Sequence, residues 1–153
     1  MKIEIKSRFD GKLLFAHEVE NNTLKITLEA AVKARANLAR ASLVGANLVG
    51  ANLARASLDG ANLAGAYLAG AYLTNGEKLK GKRPILQLGP LGSRSSYLIA
   101  YFTDKGVMIR AGCFFGTLDT FAEQCTLKHG DNQHGREYGA AIALIKAHAE
   151  IWP

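Results

Sequence analysis

The chain has too few large apolar side chains to build an ordinary core for its size. Aromatic residues make up 8% of its 153 residues, and much of the 48% hydrophobic share is alanine, which buries little surface per residue. No run of about 18 apolar residues occurs, so no membrane-spanning helix is expected. Met1-Lys2-Ile3-Glu4-Ile5-Lys6 alternates in charge and lacks the apolar stretch of a signal peptide, which makes the cytoplasm the expected compartment. Cysteine is also scarce. Cys113 and Cys125 make no disulfide framework, and buried thiols are expected at both.

Charge is missing from the middle of the chain. The net charge is +6, yet residues 36–76 carry only Arg40, Arg55 and Asp59. Residues 77–94 hold Lys78, Lys80, Lys82, Arg83 and Arg94 against Glu77. The basicity is concentrated in this one segment, and no aromatic side chain is interleaved to stack a base. A solvated linker is the expected reading, and nucleic acid is not an expected partner.

What the middle does contain is a repeat. Leu38, Leu43, Leu48, Leu53, Leu58, Leu63, Leu68 and Leu73 recur every five residues, each with alanine two places before it. Leucines at that interval would advance about 140° per step around a helix, so no apolar stripe would form. A strand would require period two. A chain that turns a corner every five residues satisfies the pattern, with leucine at the centre, alanine at the tighter inward position, and glycine at corners such as Gly45, Gly50 and Gly60.

This block, residues 36–75, resembles the pentapeptide-repeat family, whose motif is A-(D/N)-L-X-X. The resemblance implies a right-handed quadrilateral β-helix in which four repeats close one coil and eight make two. At about 4.8 Å per coil the tower is on the order of 10 Å tall and needs a cap at each end. It also implies that the residues flanking the alanine–leucine pair point outward. Family members that imitate duplex DNA invite comparison, but DNA carries about one negative charge per 1.7 Å and this block has a single acid, Asp59. DNA mimicry by the repeats is rejected. In general layout the whole chain is similar to small bacteriophage proteins of the same family, which sets a context without implying an activity.

The fold class expected is therefore mainly β: residues 1–35 an N-terminal hairpin and helix cap, 36–76 the repeat solenoid, 77–94 a basic linker and loop, and 95–153 a small α+β domain. Residues 1–18 suggest the hairpin, turning at Asp10-Gly11. Residues 23–35 read as a helix following Asn21-Asn22-Thr23, with a strand over Leu24–Leu28 as the alternative. In the tail, strands are expected at Ile85–Leu88, Tyr97–Phe102 and Val107–Cys113. A helix follows with Thr117 as its cap, then a second from Gln133 to Ile151.

The outward wall positions are nearly uncharged, with Val44 above Ala64 and Val49 above Ala69, so an interaction surface is expected. It would comprise Val44, Val49, Tyr67 and Tyr72, and the stacked Arg35 and Arg55. The expected function is non-enzymatic: a homo-oligomeric scaffold that binds a protein partner, with no cofactor and no metal. Two alternatives remain open. One is sequestration of a small phosphorylated ligand such as a signalling nucleotide by the Gly89–Ser96 loop, through Ser93, Arg94, Ser95, Ser96 and Tyr97. The other is hydrolysis using the His129–Glu137 region. Cys125, His129 and His134 match no standard zinc spacing.

Overall fold

The computed structural model describes residues 1–153, which divide into two compact units, Met1–Leu79 and Lys80–Pro153. No helix is long and apolar enough to cross a membrane. Ladder-forming strands lie outside the repeats, in two antiparallel sheets.

In the first unit β1 (Lys2–Lys6) and β2 (Leu13–Glu18) pair as a hairpin, with Ile3 opposite His17. Helix α1 (Leu24–Lys33) packs against both strands, which settles the helix-or-strand question over residues 23–35. Its capping explains why. Thr23 Oγ1 accepts the Ile26 amide at 3.2 Å. Asn22 is buried, holds the Met1 and His17 carbonyls through Nδ2, and accepts the Thr27 hydroxyl at 3.1 Å. The Leu24–Leu28 alternation is overridden by this capped start.

Residues 36–75 form single bridges rather than strands. Four parallel bridges pair residues twenty apart: Asn37 with Ser57, Ser42 with Asn62, Asn47 with Tyr67, and Asn52 with Tyr72. The amides follow the same interval, Leu48 N–H donating to Tyr67 O at 2.8 Å and Tyr67 N–H to Ala46 O at 2.9 Å. Between bridges, each repeat makes a β-turn in which the amide three residues after the leucine returns to its carbonyl, as from Ala46 to Leu43 at 3.2 Å. In the first seven repeats the third residue of that turn is left-handed, with φ of 65° at Gly45, 68° at Gly65 and 62° at Arg55, so the turn is type II; in the eighth the positive φ falls one place later, at Gly76. Leu38, Leu43 and Leu48 have no exposed surface, and Leu53, Leu58, Leu68 and Leu73 are also buried. Leu63 is only half-buried.

Both ends of the repeats are tied off. At the first, Glu29 Oε1 of α1 accepts the Asn52 amide at 2.9 Å, and Ser42 N–H donates to Lys6 O at 2.8 Å. At the second, Tyr72 bridges Lys78 antiparallel, and Leu79 N–H donates to Ala71 O at 2.7 Å. Each contact pairs a backbone group that would otherwise be left without a partner, an omission costing about 1–3 kcal/mol when buried.

Residues 77–94 are thus not the linker that their charge suggested. Residues 77–79 close the repeats, and β3 (Ile85–Leu91) begins the sheet of the second unit. Arg83 is not a freely solvated cation either: its guanidinium lies 4.0 Å over the Trp152 ring. The sheet order is β3, β4 (Ser96–Thr103), β5 (Gly106–Ala111), β6 (Phe114–Thr117). β6 was not anticipated, because Gly112 and Cys113 made the strand before it read as one longer run. α2 (Leu118–His129) and α3 (Gln133–Ile151) follow, capped by Thr117 and Asn132 side chains on the Thr120 and Gly135 amides. Leu98, Ala100, Phe102 and Ile109 of the sheet pack with Leu118, Phe121, Ala141 and Ile145 of the helices.

Two substitutions in the repeats test this packing. Leu48→Ala should cost about 2–5 kcal/mol in urea unfolding, as for other fully buried leucines. Gly65→Ala should destabilise by roughly 1–2 kcal/mol, because alanine resists the left-handed backbone. Equal, negligible effects at both positions would contradict the arrangement.

Candidate functional site

The second unit contains a cleft of about 190 Å³ bounded by the β3–β4 loop, the β5–β6 turn and one face of α2. The loop brings Ser93, Arg94 and Ser96 to it, and the turn brings Cys113. Three aromatic residues, Phe114, Phe121 and Tyr138, contribute to its walls, with ring centroids 5.4 Å and 5.7 Å from Phe121. From α2 come Gln124, Cys125, Lys128 and His129. Helical spacing explains this group, since positions 121, 124, 125 and 128 fall on one face.

Two contacts fix the loop against α3. The Gly92 amide donates to Glu137 Oε1. A Cβ on Gly92 would collide with the Tyr138 hydroxyl, so only glycine permits this approach, and φ there is 76°.

Of the five ligand residues expected from sequence, the structure gathers Ser93, Arg94 and Ser96. Ser95, at φ 47°, instead faces a separate depression that Glu137 and His134 also line. Tyr97 lies on β4 next to Leu98, and side-chain alternation sends it to the opposite face of the sheet from the helices. Gln124, Lys128 and the aromatic group were missed. Their signal in the sequence is the spacing of Gln124 and Lys128, which flank the apolar Phe121 and Cys125 on the same face of α2.

The cysteines are not the buried thiols expected. Cys113 is exposed, because the turn after β5 carries it out of the sheet, and Cys125 is half-buried at the edge of the core. Burial pushes the Cys125 thiol up, away from the thiolate that a nucleophile requires. No group of three or more His, Cys, Asp or Glu side chains is placed to hold a metal ion. His129 and His134 meet edge-to-face at 5.6 Å, and His129 lies 5.6 Å from the Tyr138 ring. Desolvation, then Lys128, then His134 hold the His129 imidazole below its ordinary 6.5.

In the first unit, Val44, Val49 and Tyr67 are 57%, 49% and 66% exposed, and Tyr72 is exposed beside Thr74. Residues 41–50 and 61–70 contain no charged side chain. The turn carbons of the two stretches lie close, a Cβ on Gly65 falling 3.9 Å from Gly45 Cα. Arg35 and Arg55 line a shallow groove of about 320 Å³ together with Lys33, apart from the valines.

Residues 36–75 match the family model for pentapeptide repeats in eight copies. No curated protein and no solved structure matches the chain.

The depressed His129 gives a signed pH prediction. The folded state binds fewer protons than the unfolded chain between the two imidazole values, so this contribution to stability is present at neutral pH and is lost as pH falls through 6.5. A proton NMR titration should place the His129 midpoint below 6.5, and His129→Gln should flatten the loss of melting temperature between pH 7 and 5. A midpoint at or above that value contradicts the assignment.

Proposed function

We propose that this protein, with its eight pentapeptide repeats at residues 36–75, is a non-enzymatic binding scaffold whose repeats close into a right-handed quadrilateral β-helix of two coils and associate with a second copy of the chain. The bridges at an interval of twenty residues support the coil, since four repeats then complete one circuit. The same interval stacks Val44 on Ala64 and Val49 on Ala69, in two adjoining walls.

One observation carries the self-association: residues 41–50 and 61–70 hold exposed Val44, Val49 and Tyr67 and contribute no ionised side chain of their own, although the Lys25 ammonium of α1 reaches the edge of this surface and donates to Val49 O at 3.0 Å. A free protein surface is normally about a quarter to a third charged. A wall this poor in charge is complementary to another of the same kind, and a two-fold arrangement presents each copy's wall to the other. Strongly charged partners would have to give up hydration without receiving a counter-charge. The assembled scaffold then presents its second units for a protein partner, a host protein in the bacteriophage setting.

Light scattering at about 100 µM should give a mass of two or more chains. Val44→Glu with Val49→Glu should yield the monomer with unchanged circular dichroism, because each lost contact is worth about 1 kcal/mol before the cost of burying a carboxylate. A monomeric wild-type chain at that concentration would defeat the proposal.

A further inference from the structure

The cleft between the β3–β4 loop and α2 has the composition of a small-ligand site, and it stands independently of any self-association by the repeats. From it we infer that the second unit binds an organic phosphate in which a single aromatic or heteroaromatic ring carries the phosphoryl group.

The charge at the mouth is of one sign. Arg94 and Lys128 reach it from two separate elements, and none of the cleft's lining residues is a carboxylate. Glu137 of α3 accepts the Gly92 amide and lies outside the lining. Arg94 is also placed rather than loose: it crosses the β5–β6 turn at Gly112, where a Cβ would come within 3.3 Å of Nη1. A guanidinium offers a planar pair of donors to two phosphate oxygens, and an ammonium supplies a second point charge. Ser93, Ser96 and Gln124 add neutral donors around the same opening.

The walls are of a different character. Phe114, Phe121 and Tyr138 stand at angles of 51° and 87° about Phe121; Phe121 itself is buried in the core and His129 lies against Tyr138, and the parts of the three rings that line the cleft give a planar group apolar surface to pack against. Inorganic phosphate would leave this aromatic surface unused, and a neutral arene would leave Arg94 and Lys128 without a counter-ion. The size sets the upper limit. At about 190 Å³ the cleft is smaller than the roughly 300–1,000 Å³ typical of sites for drug-sized molecules, so it encloses one ring and one phosphoryl group. The remainder of a larger ligand would project into solvent.

Phenyl phosphate is the smallest probe with both halves. Calorimetry on the full chain should show it binding at least ~10-fold more tightly than either phenol or inorganic phosphate, since each of those satisfies only half of the site. Arg94→Gln and Lys128→Gln should each weaken it by roughly 5- to 20-fold, the range for one charge-assisted contact at an exposed rim. Tyr97→Phe, on the other face of the sheet, should leave it unchanged. Alkylation of Cys113 by iodoacetamide should slow when phenyl phosphate is bound, which reports occupancy of this cleft directly. Inorganic phosphate binding as tightly as phenyl phosphate would overturn the aromatic half of the inference. The absence of heat at 10 mM, unchanged affinity in both cation variants, or binding that leaves Cys113 alkylation unaltered would overturn the site itself.

Discussion

Everything in the first unit depends on burying a leucine every fifth residue while leaving no backbone amide unpaired. The two demands conflict in a short chain, because a helix cannot align leucines at that interval and an isolated extended strand leaves its amides bare. Bonds across the bridges between residues twenty apart meet both demands. They bring Leu48 beneath Tyr67 O and Tyr67 beneath Ala46 O, and they leave the leucine side chains on one common interior. The alanine two places before each leucine shares this interior, with no exposed surface at Ala41, Ala51 and Ala71.

That solution limits what the repeats can do. Their turns consume the positions where a flexible loop would otherwise present reactive groups, and their outward residues are short. What remains is a rigid surface whose chemistry is set by a handful of positions. Arg40 and Arg55 hold the left-handed turn position that glycine holds at five other corners, at φ of 64° and 62°, and Arg35, at 55°, is the left-handed residue that ends α1. Arg40 has a visible reason to be there, with its guanidinium 5.9 Å from the Phe9 ring, which Arg8 also covers at 4.8 Å. The second unit is the opposite case. Its sheet and two helices bring loops, turns and helix faces together at one cleft, and the chemical variety of the chain is found there rather than in the repeats.

The repeats were legible because one residue type recurs without interruption, and the first two helices because Thr23 and Thr117 mark their starts and hydrogen-bond as N-caps; the third was legible from its apolar spacing, its Asn132 cap appearing only in the structure. In residues 77–94 the basic side chains are exposed, as their charge suggests, but their backbone is not a plain linker. Lys78 instead pairs with Tyr72 through its backbone, and Arg83 covers Trp152, contacts to which its charge gives no clue. Cys113 misled because cysteine's general preference for burial says nothing of a turn that carries one residue outward. The cleft was half legible. The loop residues Arg94, Ser93 and Ser96 could be singled out locally, whereas Lys128 and the aromatic walls depend on how α2 and α3 pack, which no local pattern states.

The fold of the repeats rests on the pairing of residues twenty apart, and scalar couplings across hydrogen bonds measure it directly. In a doubly labelled sample the Leu43, Leu48 and Leu53 nitrogens should couple to the carbonyl carbons of Asn62, Tyr67 and Tyr72. Couplings from those nitrogens to carbonyls four residues earlier, or amides exchanging at unfolded rates, would contradict the account.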